Sequence, residues 1–421
     1  MDSSTPEILR LPWLKALAEA ADEDEIHLVG GAVRDQLLGL PVHDLDVVVA
    51  GDGGRIAEAF AERTGARLIL LGGKDFAAYR LIGDGYEIDL WDRVGMPRRD
   101  DLARRDLTVN AIALDLRPDL PEADRWVDPF GGRRDIEQKI LRATTGGVFA
   151  EDPLRVLRLG RLAAKLPDFR VDPDTLDRAR AAAPKLTAVA RERIRDELTR
   201  LFHLPGAGRG VEVLGKTGVY PRLWLGESER PQALAAAAVR QIEALPEVAD
   251  ELTAQGAPGA DLPAARWVPT FAPDPEEPSD TAALDAFHQA GFLTVRLRDR
   301  LRILLADDEI PAEPLALRRF VHRQGDAWPT AAARIGARAA ARDEWRERVK
   351  GLLQLVAQDG DTLIDPPTLL DGIEVQELLG VSPGPAVGEA MRLIRQAQVD
   401  GEIRTAEEAK GLLRAGRSTR R

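Results

Sequence analysis

Cysteine is absent from the 421 residues of this chain, so disulfides, thiolate metal sites and cysteine nucleophiles are excluded. Histidine is scarce, and none of the five residues has the HExxH or HxH spacing that is typical of zinc hydrolases. No apolar run approaches the roughly 18 residues of a membrane-spanning helix. The N-terminal segment lacks the basic flank and apolar centre of a signal peptide. We therefore expect a cytoplasmic protein that has no membrane partner.

The acidic excess of the chain is unevenly distributed. The formal net charge is -12, but residues 226–287 alone contain 12 acidic and 3 basic side chains. Outside that segment, arginine-rich stretches recur at residues 98–105, 133–165, 191–200 and 414–421. Because a local basic surface can bind a polyanion whatever the bulk charge, nucleic acid remains a candidate partner.

The character of the sequence changes near residue 152. Six short β-rich runs precede this point, at residues 26–29, 45–49, 68–71, 79–82, 87–90 and 113–116. Helical patterns at 33–38 and 54–64 separate some of them. Beyond residue 152, Leu, Ala and Arg recur every three or four residues, which predicts successive helices. Residues 254–280 are rich in Pro, Ala, Gly and acidic side chains, and this composition predicts a solvated linker or surface insertion.

A glycine pair and three aspartates form the strongest local pattern. A β-rich run ends at Gly30-Gly31 and a helix follows at once, so the backbone can approach a phosphate there, with Arg34 as a nearby cation. Asp44 and Asp46 lie two apart in a strand pattern, so both carboxylates point to one side and suit Mg²⁺ with triphosphate oxygens. Asp89, in another strand pattern, offers a third carboxylate. Each feature alone is usually a turn or a solvated strand end, but their combination favours a phosphate and metal site.

Together these residues resemble the signature of the polymerase-β-type nucleotidyltransferase superfamily. The longer string LVGGAVRDQLLG…HDLD, within residues 28–46, resembles bacterial-type (class II) tRNA nucleotidyltransferases and poly(A) polymerases. Further blocks follow in that family's order: RRDLTVNA at 104–111, DPFGGR at 128–133, EDPLRVLRLGR at 151–161 and RERIRDEL at 191–198. The resemblance is strong over residues 26–225, fair over 365–413 and weak over 226–345.

The resemblance implies an α+β fold that begins with a polymerase-β-like nucleotidyltransferase head. The head, with a mixed sheet, would occupy residues 1–150, and the rest would be helical. The helical part would comprise a neck at 151–225 with a nucleotide-selecting motif and a body at 226–345 that includes the acidic, Pro-rich insertion. A tRNA-binding tail would follow at 346–421.

The resemblance also implies a reaction. The 3′ hydroxyl of a tRNA that lacks its complete CCA end would attack the α-phosphorus of CTP, with ATP as a further candidate, and pyrophosphate would leave. Mg²⁺ is the expected cofactor, and no obligate protein partner is expected. Asp44 and Asp46 would bind the metal, while Asp89 would either bind metal or accept a proton. The implied nucleotide-binding residues are Gly30, Gly31, Arg34, Arg105, Asp106, Asn110, Asp152, Arg155 and Arg158, and the implied RNA-binding residues are Arg161 and Lys165.

The spacing of Asp152 and Arg155 suggests how a base is selected without a template. Three residues apart on one helix, the two side chains would share a face, and their donors and acceptors could imitate a base that pairs with cytosine. Alternatively, Asp152 caps a helix that has Pro153 at its first position, and Arg155 forms a local ion pair. The polymerase-like head that precedes them favours base selection.

The connection between Asp89 and Asp106 bears on which nucleotides are added. Only 16 residues separate them, whereas family members that add the terminal adenosine usually carry a longer, flexible loop there. The short connection favours a CC-adding enzyme over a full CCA-adding enzyme, and a poly(A) polymerase or an A-adding enzyme ranks lower. The converging aspartates disfavour an inactive RNA-binding protein, and the long helical part disfavours a small-molecule nucleotidyltransferase.

Overall fold

The chain divides into two units. The computed structural model describes residues 7–42, 44–71, 78–93, 95–225, 230–274, 281–339 and 342–418. The first unit consists of Met1–Ala190 with Lys216–Val219, and the second consists of Arg191–Gly215 with Tyr220–Arg421. In the described ranges, no helix combines the length and the apolar character needed to cross a membrane.

A seven-stranded sheet lies at the centre of the first unit. Its strands are β1 (Ile26–Val29), β2 (Asp44–Val49), β3 (Arg67–Leu71), β4 (Ala78–Gly83), β5 (Tyr86–Asp92), β6 (Ala113–Asp115) and β7 (Trp126–Val127). They lie in the order β3-β4-β5-β2-β1-β6-β7, with β2 and β5 parallel and the other neighbours antiparallel. The predicted mixed sheet is confirmed, and each of the six predicted runs coincides with a strand to within two residues at either end.

Helices surround this sheet and continue to the end of the described chain. Those up to residue 190 are α1 (Pro12–Ala21), α2 (Gly31–Leu37), α3 (Gly53–Thr64), α4 (Arg98–Ala103), α5 (Gly132–Glu137), α6 (Val148–Glu151), α7 (Arg155–Lys165) and α8 (Pro173–Ala182). A small parallel pair, β8 (Ile140–Leu141) and β9 (Arg170–Val171), and a 3₁₀ turn at Thr108–Asn110 lie among them.

The prediction of successive helices after residue 152 is confirmed except at β9, and beyond residue 190 the described residues contain helices and no strand. These helices are α9 (Arg191–His203), α10 (Ala207–Lys216), α11 (Pro231–Ala254), α12 (Leu262–Phe271), α13 (Ala282–Gln289), α14 (Val295–Leu304), α15 (Pro314–Gln324), α16 (Trp328–Arg338), α17 (Arg342–Ile364), α18 (Gly372–Leu379), α19 (Pro385–Asp400) and α20 (Ala406–Ser418).

Alternation along β2 places its two aspartates on the face opposite Leu45, Val47 and Val49. Val47 and Leu90 are fully buried on one face, against which α3 packs with its buried Phe60. Successive residues of a strand point to opposite faces. The carboxylates of Asp44 and Asp46 therefore lie on the other face, away from the helix.

An aromatic cluster lies in the core of the second unit and includes Phe202, Trp224, Trp267, Phe271 and Phe287. The ring centroids of Phe202 and Trp267 are 4.2 Å apart, and those of Trp224 and Phe287 are 5.1 Å apart. Buried aromatic rings remove large apolar areas from water, so this cluster contributes strongly to the stability of the unit.

The segment 254–280, predicted as a solvated linker, contains part of this core. α12 forms within it, and Trp267 is only 1% exposed. The linker prediction is wrong for this helix for two reasons. Pro263 lies in the first turn, where a missing N–H is tolerated, and the apolar residues after it repeat at helical spacing. Residues 275–280 lie outside the described residues.

We expect Trp267→Ala to lower the free energy of unfolding by about 3–5 kcal/mol, because it leaves a large cavity between packed rings. The control is Leu393→Ala, at a side chain that is 46% exposed, where the change should stay within about 0.5 kcal/mol. Denaturant unfolding of the full chain measures both. Equal small effects would show that α12 is dispensable to the core.

Candidate active site

The turn between β1 and α2 requires glycine at its first position. Gly30 has a φ of 76°, in the region that residues with a Cβ rarely adopt. A Cβ at this position would lie 2.9 Å from Nη1 of Arg105 and 3.3 Å from Oδ2 of Asp46. The structure therefore places the Gly30-Gly31 turn directly beside a carboxylate and a guanidinium.

The three predicted aspartates lie on adjacent strands of one sheet. Asp44 and Asp46 share a face of β2, and the parallel register pairs Asp46 with Asp89 and Asp44 with Glu87 on β5. Burial raises the pKa of Asp46; the nearby Arg105 guanidinium opposes this rise, and the carboxylates of Asp89 and Asp44 add to it. The pair on β2 thus carries negative charge that is only partly compensated.

A basic residue that the sequence analysis missed holds Asp89. Nε and Nη2 of Arg80, on β4, each donate a 2.8 Å hydrogen bond to a different oxygen of the Asp89 carboxylate. Arg80 also forms an ion pair with Glu87 at 2.9 Å. The sequence contained a usable signal: Asp84-Gly85 is typical of a two-residue hairpin turn, and counting outward from that turn places Arg80 opposite Asp89.

The available carboxylates fit a divalent cation that is shared with a triphosphate. In the part of the chain that the structure describes, no group of three His, Asp or Glu side chains is spaced to hold a metal alone. Arg80 already donates to both oxygens of Asp89, so Asp44 and Asp46 are the more available candidate ligands. Hard cations such as Mg²⁺ are commonly bound by one or two carboxylates together with substrate phosphates. The raised pKa of Asp46 agrees with a site that such a cation would stabilise.

Asp106 is an ionised carboxylate at the centre of a polar network. Its oxygens accept hydrogen bonds from Arg158 Nε at 2.7 Å, Asn110 Nδ2 at 2.8 Å and the Leu107 N–H at 2.9 Å. Burial opposes ionisation, but the Arg158 charge and these hydrogen bonds outweigh it and hold the pKa of Asp106 well below its usual value. The structure therefore joins three predicted nucleotide-binding residues, Asp106, Asn110 and Arg158, through direct contacts.

Two further predicted cations, besides Arg158, are bound to protein carboxylates. Arg34 is buried and donates to Asp35 through Nε at 2.9 Å and to the amide oxygen of Asn110. Lys165, predicted to bind RNA, donates from Nζ to the other oxygen of Asp35 at 2.7 Å. The sequence analysis missed Asp35, although it lies inside the glycine-turn motif. Arg161 lies on α7 with Lys165, and its RNA contact stays a prediction.

Arg105 is the cation beside the glycine turn, and its Nη2 lies 3.7 Å from the carboxylate of Asp101. It lies against Gly30 and is close enough to Asp46 to affect its pKa. Its Nε is buried and, within the described residues, makes no hydrogen bond. A buried donor of this kind is unfavourable unless it gains an acceptor, so Arg105 suits an anionic ligand at the turn.

The prediction that Asp152 and Arg155 share a helix face is wrong. α6 ends at Glu151, Asp152 is extended, and α7 begins only at Arg155, because Pro153 interrupts the helix between them. Oδ1 of Asp152 accepts the Leu154 N–H at 3.1 Å. The guanidinium of Arg155 donates to the carbonyl oxygens of Val148 at 2.9 Å and Arg104 at 2.6 Å.

Comparisons with known proteins agree with this arrangement. A family model described as the poly A polymerase head domain matches residues 26–90 and 91–142, and one described as a probable RNA and SrmB-binding site of polymerase A matches 168–224. The CC-adding tRNA nucleotidyltransferase of Geobacter sulfurreducens is 33% identical, covering 91% of this chain and 90% of that protein. The A-adding tRNA nucleotidyltransferase of Deinococcus radiodurans is 32% identical, covering 92% and 94%. A crystal structure of the Bacillus stearothermophilus CCA-adding enzyme in complex with CTP matches with a TM-score of 0.71 at 24% identity over 99% of each chain, which shows the fold.

We expect Asp106→Asn to lower the free energy of unfolding by about 2–3 kcal/mol at pH 7, because Arg158 loses a charged acceptor. Since the pKa of Asp106 is lowered in the folded protein, its contribution is present above the unfolded-state value of 3.8 and is lost as the pH falls below it. The difference between wild type and variant should therefore shrink below about pH 4. Denaturant unfolding across a pH series measures it, with Asp168→Asn, at an exposed ion pair, as the control. A difference that grows on acidification would contradict the network.

Proposed function

Because this chain belongs to the tRNA nucleotidyltransferase and poly(A) polymerase family, we propose that it adds nucleotides from CTP to the 3′ end of tRNA and releases pyrophosphate. The observation that carries this proposal is the placement of Asp46 and Asp89 on adjacent parallel strands, beside the turn at Gly30. Nucleotidyl transfer requires carboxylates that can bind a metal ion, next to a backbone turn that a phosphate can approach.

We assign metal binding to Asp44 and Asp46, with Mg²⁺ as the ion. Polymerase-β-like nucleotidyltransferases use divalent metal ions, and when bound such an ion neutralises the triphosphate and lowers the pKa of the attacking hydroxyl. Asp89 stands next to Asp46 as the third carboxylate, where it either joins the metal or accepts the proton of the 3′ hydroxyl. Arg80 fixes the orientation of Asp89 through its two hydrogen bonds.

The triphosphate would lie along the turn and its cations. The backbone at Gly30-Gly31 approaches the phosphates, and Arg105 supplies a buried Nε donor that has no hydrogen-bond partner among the described residues. Arg34, on the helix that follows the turn, donates a hydrogen bond to Asn110 and so stabilises the turn. In this arrangement the chain's own donors stabilise the negative charge that develops on pyrophosphate as it leaves.

Base selection is assigned to Asp152 and Arg155 at the start of α7. A guanidinium has five N–H donors, and the two carbonyl contacts of Arg155 leave others for a base edge. Asp152, held in an extended conformation before the proline, offers acceptors on the same short segment. This interpretation does not need the two side chains to share a helix.

Within the family, we propose CC-adding specificity. The connection from β5 to α4 consists only of residues 93–97, which supports the argument from a short loop. Two relatives that match nearly the whole chain are named for adding CC and A at almost equal identity, so similarity does not distinguish these outcomes. We also propose four functional segments: a head at 1–150, a neck at 151–225, a body at 226–345 and a tail at 346–421. Arg161 and the tail would contact the tRNA. The proposed location is the cytoplasm.

Incubation of the protein with tRNA that lacks its 3′ CCA end tests the function. With Mg²⁺, CTP alone should yield tRNA ending in CC, and added ATP should not extend it. Asp46→Asn should reduce the rate by about a thousandfold or more, while Asp168→Asn, at an exposed carboxylate, should leave it unchanged. Sequencing of the product ends decides. Terminal A after CC supports a CCA-adding enzyme, A added only to a parallel tRNA that already ends in CC supports an A-adding enzyme, and no addition to either tRNA refutes the proposal.

Arg155→Ala should reduce the preference for CTP over UTP by about tenfold, because the lost hydrogen bond to the base is worth about 1–3 kcal/mol. The matched control is Arg161→Ala, on the same helix, which should leave the preference unchanged. Steady-state kinetics with each nucleotide measures both variants. If Arg155→Ala lowers stability and keeps the preference, its contacts with Val148 and Arg104 are purely structural.

A further inference from the structure

A ring of six polar side chains fastens α7 to the glycine turn. Arg158 donates to Asp106, Asn110 donates to the same carboxylate, Arg34 donates to Asn110 and to Asp35, and Lys165 donates to Asp35. Because Arg158 and Lys165 both belong to α7, the helix itself closes the ring. The members in order are Arg158, Asp106, Asn110, Arg34, Asp35 and Lys165.

Asp35 accepts hydrogen bonds from two cations of the ring. Its side chain is buried; Oδ1 accepts from Nε of Arg34 at 2.9 Å and from Nη2 at 2.7 Å, while Oδ2 accepts from Nζ of Lys165 at 2.7 Å. Asp35 lies on α2, which starts at the turn. This carboxylate therefore links α2, the helix that follows the glycine turn, to α7.

The two contacts of α7 fix its position along its own axis. Arg158 and Lys165 are seven residues apart, which is two helical turns, so both side chains project from one face. One is held by Asp106 and the other by Asp35. A helix that is held at two points on one face can neither rotate nor slide without breaking an ion pair, and Arg155, at its first residue, is held with it.

We propose that Asp35 is a positioning residue that, through Lys165, sets the place of Arg155 relative to the phosphate turn and so contributes to nucleotide selectivity. This inference rests on the proposed function and deepens it. It replaces the RNA contact predicted for Lys165 with an internal one, since the ammonium already has a buried carboxylate as its partner. Arg155 contacts the base, while Asp35 acts only through the placement of α7.

The pair can be tested with substitutions that preserve shape. Asp35→Asn keeps the volume and removes the charge, and Lys165→Met keeps the apolar stem and removes the ammonium. The matched control is the pair Lys139 and Asp168, whose side chains are joined at 3.1 Å but are largely exposed. Lys139→Met and Asp168→Asn remove the same groups away from α7.

The measurement is kcat/KM for CTP and for UTP with tRNA that lacks its 3′ end, using the full chain. Each single substitution of Asp35 or Lys165 should lower the CTP preference about fivefold or more, and the double variant should be no worse than the singles, because one contact is lost in all three. The control pair should leave the preference unchanged. Should Asp35→Asn not fold, Lys165→Met, at a partly exposed side chain, decides alone.

An unchanged CTP preference in Lys165→Met overturns the inference, whatever happens to stability. An effect confined to the KM for tRNA and its salt dependence also overturns the inference, because it would mean that Lys165 contacts RNA. Losses of CTP preference that multiply in the double variant overturn it as well. A wild-type protein that transfers no nucleotide refutes the proposed function instead. In that case the dissociation constants of CTP and UTP, measured by calorimetry on the same variants, still decide the inference.

Discussion

The parallel pairing of β2 with β5 is the constraint on which the candidate site depends. It sets Asp46 beside Asp89 and Asp44 beside Glu87, so four carboxylates gather at one end of two strands. Like charges at such spacing repel one another. Arg80 offsets the charges of Glu87 and Asp89, and the buried opposite face of the same strands packs against α3. The hydrophobic core thus imposes an acidic cluster that favours a cation.

Neighbouring arginines decide which carboxylates in this region are available to a ligand. Arg80 binds both oxygens of Asp89, and Arg158 with Asn110 binds Asp106. The pKa of Asp106 is accordingly low, while burial raises that of Asp46 against the opposing charge of Arg105. Asp106 is therefore bound within the fold, whereas a metal ion can neutralise the negative charge of Asp46.

Several features of the structure could be predicted because their causes are local. Strand alternation gave the six runs and placed Asp44 and Asp46 on one face. The Asp84-Gly85 turn likewise contains enough information to pair Arg80 with Asp89. Two predictions are wrong for local reasons. The Pro-rich composition of 254–280 indicates a linker, but α12 tolerates Pro263 in its first turn, and Pro153 interrupts the helix that the spacing of Asp152 and Arg155 assumes.

The sequence by itself determined the strands of the head, the need for glycine at residue 30 and the family of the chain. Only the tertiary structure decided which side chains meet: Lys165 and Asp35 are 130 residues apart, and Arg155 and the Arg104 carbonyl 51. Such contacts follow from how helices and strands pack, and no periodic pattern along the chain encodes them. The roles of Asp35 and Lys165 therefore follow from the fold, because packing decides which charged side chains of distant segments come into contact.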